Sequence, residues 1–154
     1  MTRPEARPGI SAPFIVFLAL FLFAGGAASA SPDPVTVEIG VVVASGKGSS
    51  IDPSLSSLRT KLQSMFNYSS YKLLDRMKRP LAIGETGDFN LPGNRTMRVT
   101  PVNAPGNKIR LAVQIMEGGK NLLTTTLGLS RGGMVLVGGP PHQSGVLILL
   151  ISAE

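Results

Sequence analysis

Val35-Thr-Val-Glu-Ile-Gly-Val-Val-Val43 decides the fold class. Val35, Val37, Ile39, Val41 and Val43 share one face at a period of two, while Thr36, Glu38, Gly40 and Val42 form a mixed second face. Period-two apolar alternation rich in β-branched residues specifies a strand with one buried side. Ser45-Gly-Lys-Gly-Ser-Ser50 then breaks it. The Gly-Lys step resembles a phosphate loop, but that chemistry needs Lys-Ser/Thr leading directly into a helix N-terminus. Here Gly48 follows Lys47, and Asp52-Pro53 places a carboxylate and a missing N–H where phosphate would sit, so the stretch reads as a plain turn.

Asp52 followed by Pro53 is instead a helix start, an N-cap residue with proline at the first helical position. Leu55, Leu58, Leu62, Met65 and Phe66 fall on one side, and Ser56, Arg59, Lys61 and Gln63 face the other, which predicts an amphipathic helix over 53–66. Asn67 is its expected stop.

Everything beyond reads as strands and turns. Candidate strands cover Ser70–Met77, Thr96–Val102, Lys108–Met116, Leu122–Leu129, Met134–Val137 and Val146–Ile151. Lys78–Asn90 reads as a connection, Leu91-Pro-Gly-Asn94, Glu117-Gly-Gly-Lys120 and Arg131-Gly-Gly133 as tight turns, and Gly138–Gly145 as a loop. Val146-Leu-Ile-Leu-Leu-Ile151 is apolar throughout, the pattern of a strand buried on both faces and too short to span a bilayer. The expected fold is α+β: a largely antiparallel β-sheet with one amphipathic helix packed on it, and Leu58, Leu62, Val113 and Leu149 in the core.

Upstream of the strand, residues 1–30 read as a signal peptide. Arg3 and Arg7 precede the uncharged run Phe14–Ala24, and Ala28-Ser-Ala30 supplies a cleavage site. Eleven apolar residues fall short of the roughly 20 that a spanning helix requires. Cleavage leaves 31–154 as one exported domain with 13 Lys and Arg against 8 Asp and Glu, a formal charge of +5. The expected location is the periplasm or the cell exterior, with no nucleic acid as partner, no stable transmembrane span after cleavage, and an envelope protein or anionic surface as the expected contact.

The 154 residues contain no Cys and one His, so thiolate chemistry, disulfides and sites needing two imidazoles are excluded. No metal, cofactor-binding or catalytic constellation is expected, and the reading leans away from an enzyme. The alternative is a small secreted hydrolase using His142 and Ser144, which stand two residues apart in Pro140-Pro-His-Gln-Ser-Gly145. Lys72, Arg76, Lys78 and Arg79 form the one dense cationic cluster. On a regular strand, Lys72, Leu74, Arg76 and Lys78 would share a face and offer a row of charge to an extended anionic partner, or else guard a sheet edge.

Thr124-Thr-Thr126, then Leu129-Ser-Arg-Gly-Gly-Met-Val-Leu-Val-Gly-Gly139, then Gly145–Ile151 resembles the end of the secretin family of outer-membrane secretion channels. The chain lacks that family's long membrane-inserting segments, and Pro140-Pro141 replaces the usual continuation. The resemblance implies a small exported domain of related strand architecture, and not a channel of its own; the expected function is a non-enzymatic binding or assembly domain of the bacterial envelope, related to secretion machinery.

Overall fold

The computed structural model describes residues 32–103 and 105–154. The chain divides after Ala30, and the unit from Ser31 to Glu154 is the one described below. The expected signal peptide lies outside the described residues.

Eight strands follow in order: β1 Val35–Ser45, β2 Ser70–Leu81, β3 Gly87–Leu91, β4 Arg95–Val102, β5 Lys108–Glu117, β6 Lys120–Ser130, β7 Gly133–His142 and β8 Gly145–Ala153. A 3₁₀ segment, Pro53–Leu58, continues into α1, Arg59–Met65, between β1 and β2. The strands form two four-stranded sheets, sheet A in the order β2-β1-β8-β7 and sheet B in the order β3-β4-β5-β6, and every pairing is antiparallel. This is the α+β class that the sequence predicts, with the strands divided between two stacked sheets.

One apolar cluster joins the sheets. Val37, Ile39, Val41, Leu147, Leu149 and Ile151 of sheet A meet Phe89, Met97, Val99, Leu111, Val113 and Ile115 of sheet B. Fully burying such side chains stabilises by about 1.5–3 kcal/mol each before entropy is counted. A second cluster lies on the opposite face of sheet A, where Leu55 and Leu62 cover Val42, Ala44, Tyr71, Ile148 and Leu150. Sheet A is thus an inner layer, and among the described residues sheet B keeps one face bare.

The helical layer is pinned at both ends. Asp52 accepts from the Ser54 N–H at 2.9 Å and from its hydroxyl at 2.6 Å, and its other oxygen takes the Leu73 N–H at 3.4 Å. Those donors, the Ser54 hydroxyl foremost, hold the Asp52 carboxyl below its ordinary pKa. At the far end the buried Tyr71 hydroxyl donates to the Phe66 carbonyl at 2.6 Å, with the Leu62 carbonyl 3.2 Å away. Burial pushes that phenol's pKa up.

Several expectations need correction. The helix is two short pieces of different pitch, so the 3.6-residue face is not kept: Leu58 is half-buried instead of core, Leu55 is fully buried, and Met65 is 53% exposed. Leu62, Val113 and Leu149 are in the core as expected. The expected connection at 78–90 contains the end of β2 and all but the last residue of β3, whose alternation of Gly87, Phe89 and Leu91 inward spans only five residues. The expected loop at 138–145 is mostly strand, since β7 runs through Pro140 and Pro141 with a register shift between Gly138 and Pro141. Proline is tolerated there because β7 is an edge.

Candidate functional site

The bare face of sheet B is polar by construction. Strand alternation turns Leu111, Val113 and Ile115 of β5 inward, so Ala112 and Gln114 look out. Register then aligns two rows across the sheet. In one, Thr100, Ala112 and Thr126 stand side by side, and Thr86 extends the row through a 2.7 Å hydroxyl contact with Thr100. In the other, Asp88, Arg98, Gln114 and Thr124 are neighbours, with Arg98 Nε 3.3 Å from Asp88 Oδ1. Asn121 Nδ2 donates to Thr124 Oγ1 at 2.8 Å and fixes that hydroxyl.

Ala112 is the short side chain in the middle of these rows. Its neighbours stand above it, and a shallow hollow of about 630 Å³ opens over it, lined by Thr86, Asp88, Arg98, Thr100, Gln114 and Thr126 among others. The floor offers hydroxyls, one amide and one opposed pair of charges, all but the Thr86 hydroxyl held by strands. Such a surface forms hydrogen bonds at fixed positions.

The cationic cluster is arranged differently from a single row. A register shift between Val41 and Val42 leaves Leu74 as an extra residue in β2, pairing Asp75 with Val41 but Leu73 with Val42. A bulge of one residue reverses which face each later side chain takes. Lys72, opposite Val43, and Arg79, opposite Val37, take the face turned toward sheet B; Arg76 and Lys78, opposite Gly40 and Glu38, take the other. Three of them have a local partner. Arg76 Nε is 3.5 Å from Glu38, Lys78 Nζ is 2.8 Å from Glu154, and the Arg79 guanidinium sits 5.8 Å from the Phe89 ring centre. The Lys78–Glu154 hydrogen bond raises the lysine's pKa and lowers the carboxyl's. Arg76 and Lys78 therefore share a face as expected, but Lys72 does not join them in the row.

His142 closes the β7–β8 hairpin opposite Gly145, and Gln143, at a φ of 52°, and Ser144 make the turn. The hairpin depends on Gly145, because a Cβ there would collide with the Ala44 carbonyl of β1. Among the described residues, His142 and Ser144 share no hydrogen bond, and no three of the His, Asp and Glu side chains gather where they could hold a metal ion. No described helix is long and apolar enough to cross a membrane.

The polar face escaped the sequence reading although its signal was present. Arg110, Ala112 and Gln114 alternate with the inward residues of Lys108–Met116, and Thr124 and Thr126 do the same one strand later. What the pattern lacks is any sign of which sheet the helix covers. In comparisons with protein-family models, with curated proteins and with solved structures, nothing matches the chain.

Proposed function

We propose that the chain is an exported, non-enzymatic binding or assembly domain of the bacterial envelope, and that it binds through the open face of sheet B. The observation that carries this reading is the hollow above Ala112, ringed by strand-mounted threonines, Gln114 and the Asp88–Arg98 pair. Hydrogen-bonding groups fixed on a sheet bind with little loss of side-chain freedom, which favours recognition over turnover. The N-terminal reading supports export, and the secretin-like stretch from Thr124 to Ile151 favours a place beside secretion machinery.

Lys72, Arg76, Lys78 and Arg79 fit guarding better than binding. β2 is an edge of sheet A, and charged residues with a proline, here Pro80, discourage pairing with another strand. The test is recovery of an envelope protein by the chain and by two variants. Ala112→Trp fills the hollow from an exposed face and should release the partner by tenfold or more, while His142→Ala should hold it unchanged. Retention by Ala112→Trp, or hydrolytic turnover lost in a folded His142→Ala, would overturn the reading.

A further inference from the structure

The domain has four sheet edges, and three are blocked. Along β2, Ser50–Asp52 pairs with Tyr71 through hydrogen bonds of 2.9 Å, and Arg76, Lys78, Arg79 and Pro80 follow. β7 carries Pro140, Pro141 and a register shift, and β3 is five residues long. β6 differs from all of them. It is eleven residues long, among the described residues pairs with β5 alone, and from Asn121 to Ser130 contains neither a charge nor a proline. A long neutral edge of this kind is a template for another strand.

The sequence of β6 indicates which strand. Thr125 is the midpoint of Lys120–Ser130, and the residues on either side match in type: Thr124 with Thr126, Leu123 with Leu127. We propose that two copies of the chain pair antiparallel through β6 about a two-fold axis at Thr125, so that sheet B of one copy runs on into sheet B of the other. Such an interface is isologous, each side chain meeting its counterpart in the symmetric position. Leu123 and Leu127, half-buried at the rim of the core, would pack against Leu127 and Leu123 of the second copy, and Thr124 would face Thr126 on the polar side.

Apolar surface at this side of the sandwich supports the same arrangement. Leu122 is 39% exposed, and a groove of about 220 Å³ runs between β6 and β7, lined by Leu122, Leu123, Gly139 and Pro140 among others. Eleven residues at about 3.4 Å each, across one sandwich thickness of roughly 10–15 Å, bury on the order of 1,000 Å² in total. That is near the lower bound for a stable specific interface, and it implies a dimer that dissociates on dilution. Thr124, Thr125 and Thr126 also line the hollow above Ala112, so the two proposals share part of β6. Cysteine cross-linking, which reads the pairing of copies alone, separates failure of one from failure of the other.

A chain without cysteine makes the test direct. Paired Cα atoms in an antiparallel ladder lie about 4.5–5.5 Å apart, within disulfide range. Under oxidised glutathione, Thr125→Cys in the full chain should form a disulfide-linked dimer at least tenfold faster than Leu123→Cys, whose own counterpart lies four residues along the second strand. Leu123→Cys mixed with Leu127→Cys should cross-link to each other. Sedimentation of the unmodified full chain should give a mass rising with concentration. The double variant Thr124→Lys, Thr126→Lys places like charges opposite each other on an exposed face, and should keep the circular dichroism spectrum while abolishing that rise. Equal cross-linking at 123 and 125, a maximum at another position, or association unchanged by the lysines would overturn the proposal.

Discussion

β8 and β5 hold equivalent places, each one strand in from the edge of its sheet, yet their sequences obey different rules. In β8 five consecutive residues, Leu147 to Ile151, are at most 2% exposed; in β5 Ile109, Leu111, Val113 and Ile115 are buried while the residues between them are not. The cause is the layer count. Leu147, Leu149 and Ile151 face sheet B, and Ile148 and Leu150 face the helix, whereas the far side of β5 faces water. A run of unbroken apolar residues thus marks the middle layer of three, and alternation marks an outer one.

The sharpest way to break this comparison is to put the same charge on both strands. Leu149→Asp should unfold the domain, because an unpaired carboxylate in the core costs more than a domain's whole margin of about 5–15 kcal/mol leaves room for. Gln114→Asp on β5 should change stability by no more than about 0.5 kcal/mol. Urea unfolding followed by circular dichroism reads both. Equal losses would mean that the face bearing Gln114 is covered.

A smaller effect probes the helical layer alone. Tyr71→Phe keeps the ring packed against Leu62 and Leu55 but removes the donor shared by the Phe66 and Leu62 carbonyls. The expected cost is about 1 kcal/mol, seen as a lower urea midpoint with unchanged slope.

The smallest effect depends on acid. Asp52 has a folded pKa below its unfolded one, so its contribution is complete above roughly pH 4–5 and disappears as pH falls through the folded value. Both tyrosines, Tyr68 and Tyr71, belong to the helix-covered cluster, so near-ultraviolet dichroism reports that layer. Its signal should fade in acid before the far-ultraviolet strand signal does. Asp52→Asn, which caps without ionising, should flatten the difference.

Local rules carried the sequence reading a long way. The Leu91–Asn94 turn is a tight hairpin, with Gly93 at a φ of 83° and Asn94 at 57°, and the double burial expected of Val146–Ile151 holds from Leu147 onward. What failed was long-range or slight. Nothing local announces the extra residue at Leu74, which divides Lys72 from Arg76 between two faces. Five residues of β3 are too few for alternation to stand out, and Pro140-Pro141 imitates a loop because the sequence does not show that β7 lies at an edge. The polar site was unread for a related reason: Thr124 and Thr126 belong to a bare face only because the helix sits on the other sheet.

The pairing of β1 with β8 has a consequence in time. Residues 37–45 lie against residues 145–153, and Thr36 and Glu154 exchange backbone hydrogen bonds of 2.8 and 3.0 Å. A ribosome adding roughly 5–20 residues per second therefore releases β1 many seconds' worth of chain before its central partner exists. Sheet B can assemble early, because β3 to β6 are consecutive hairpins closing short loops. Sheet A cannot be completed until the last strand arrives, and that closure spans more than 100 residues. Completion of sheet A therefore waits on β8, which supplies the pairing between β1 and β7.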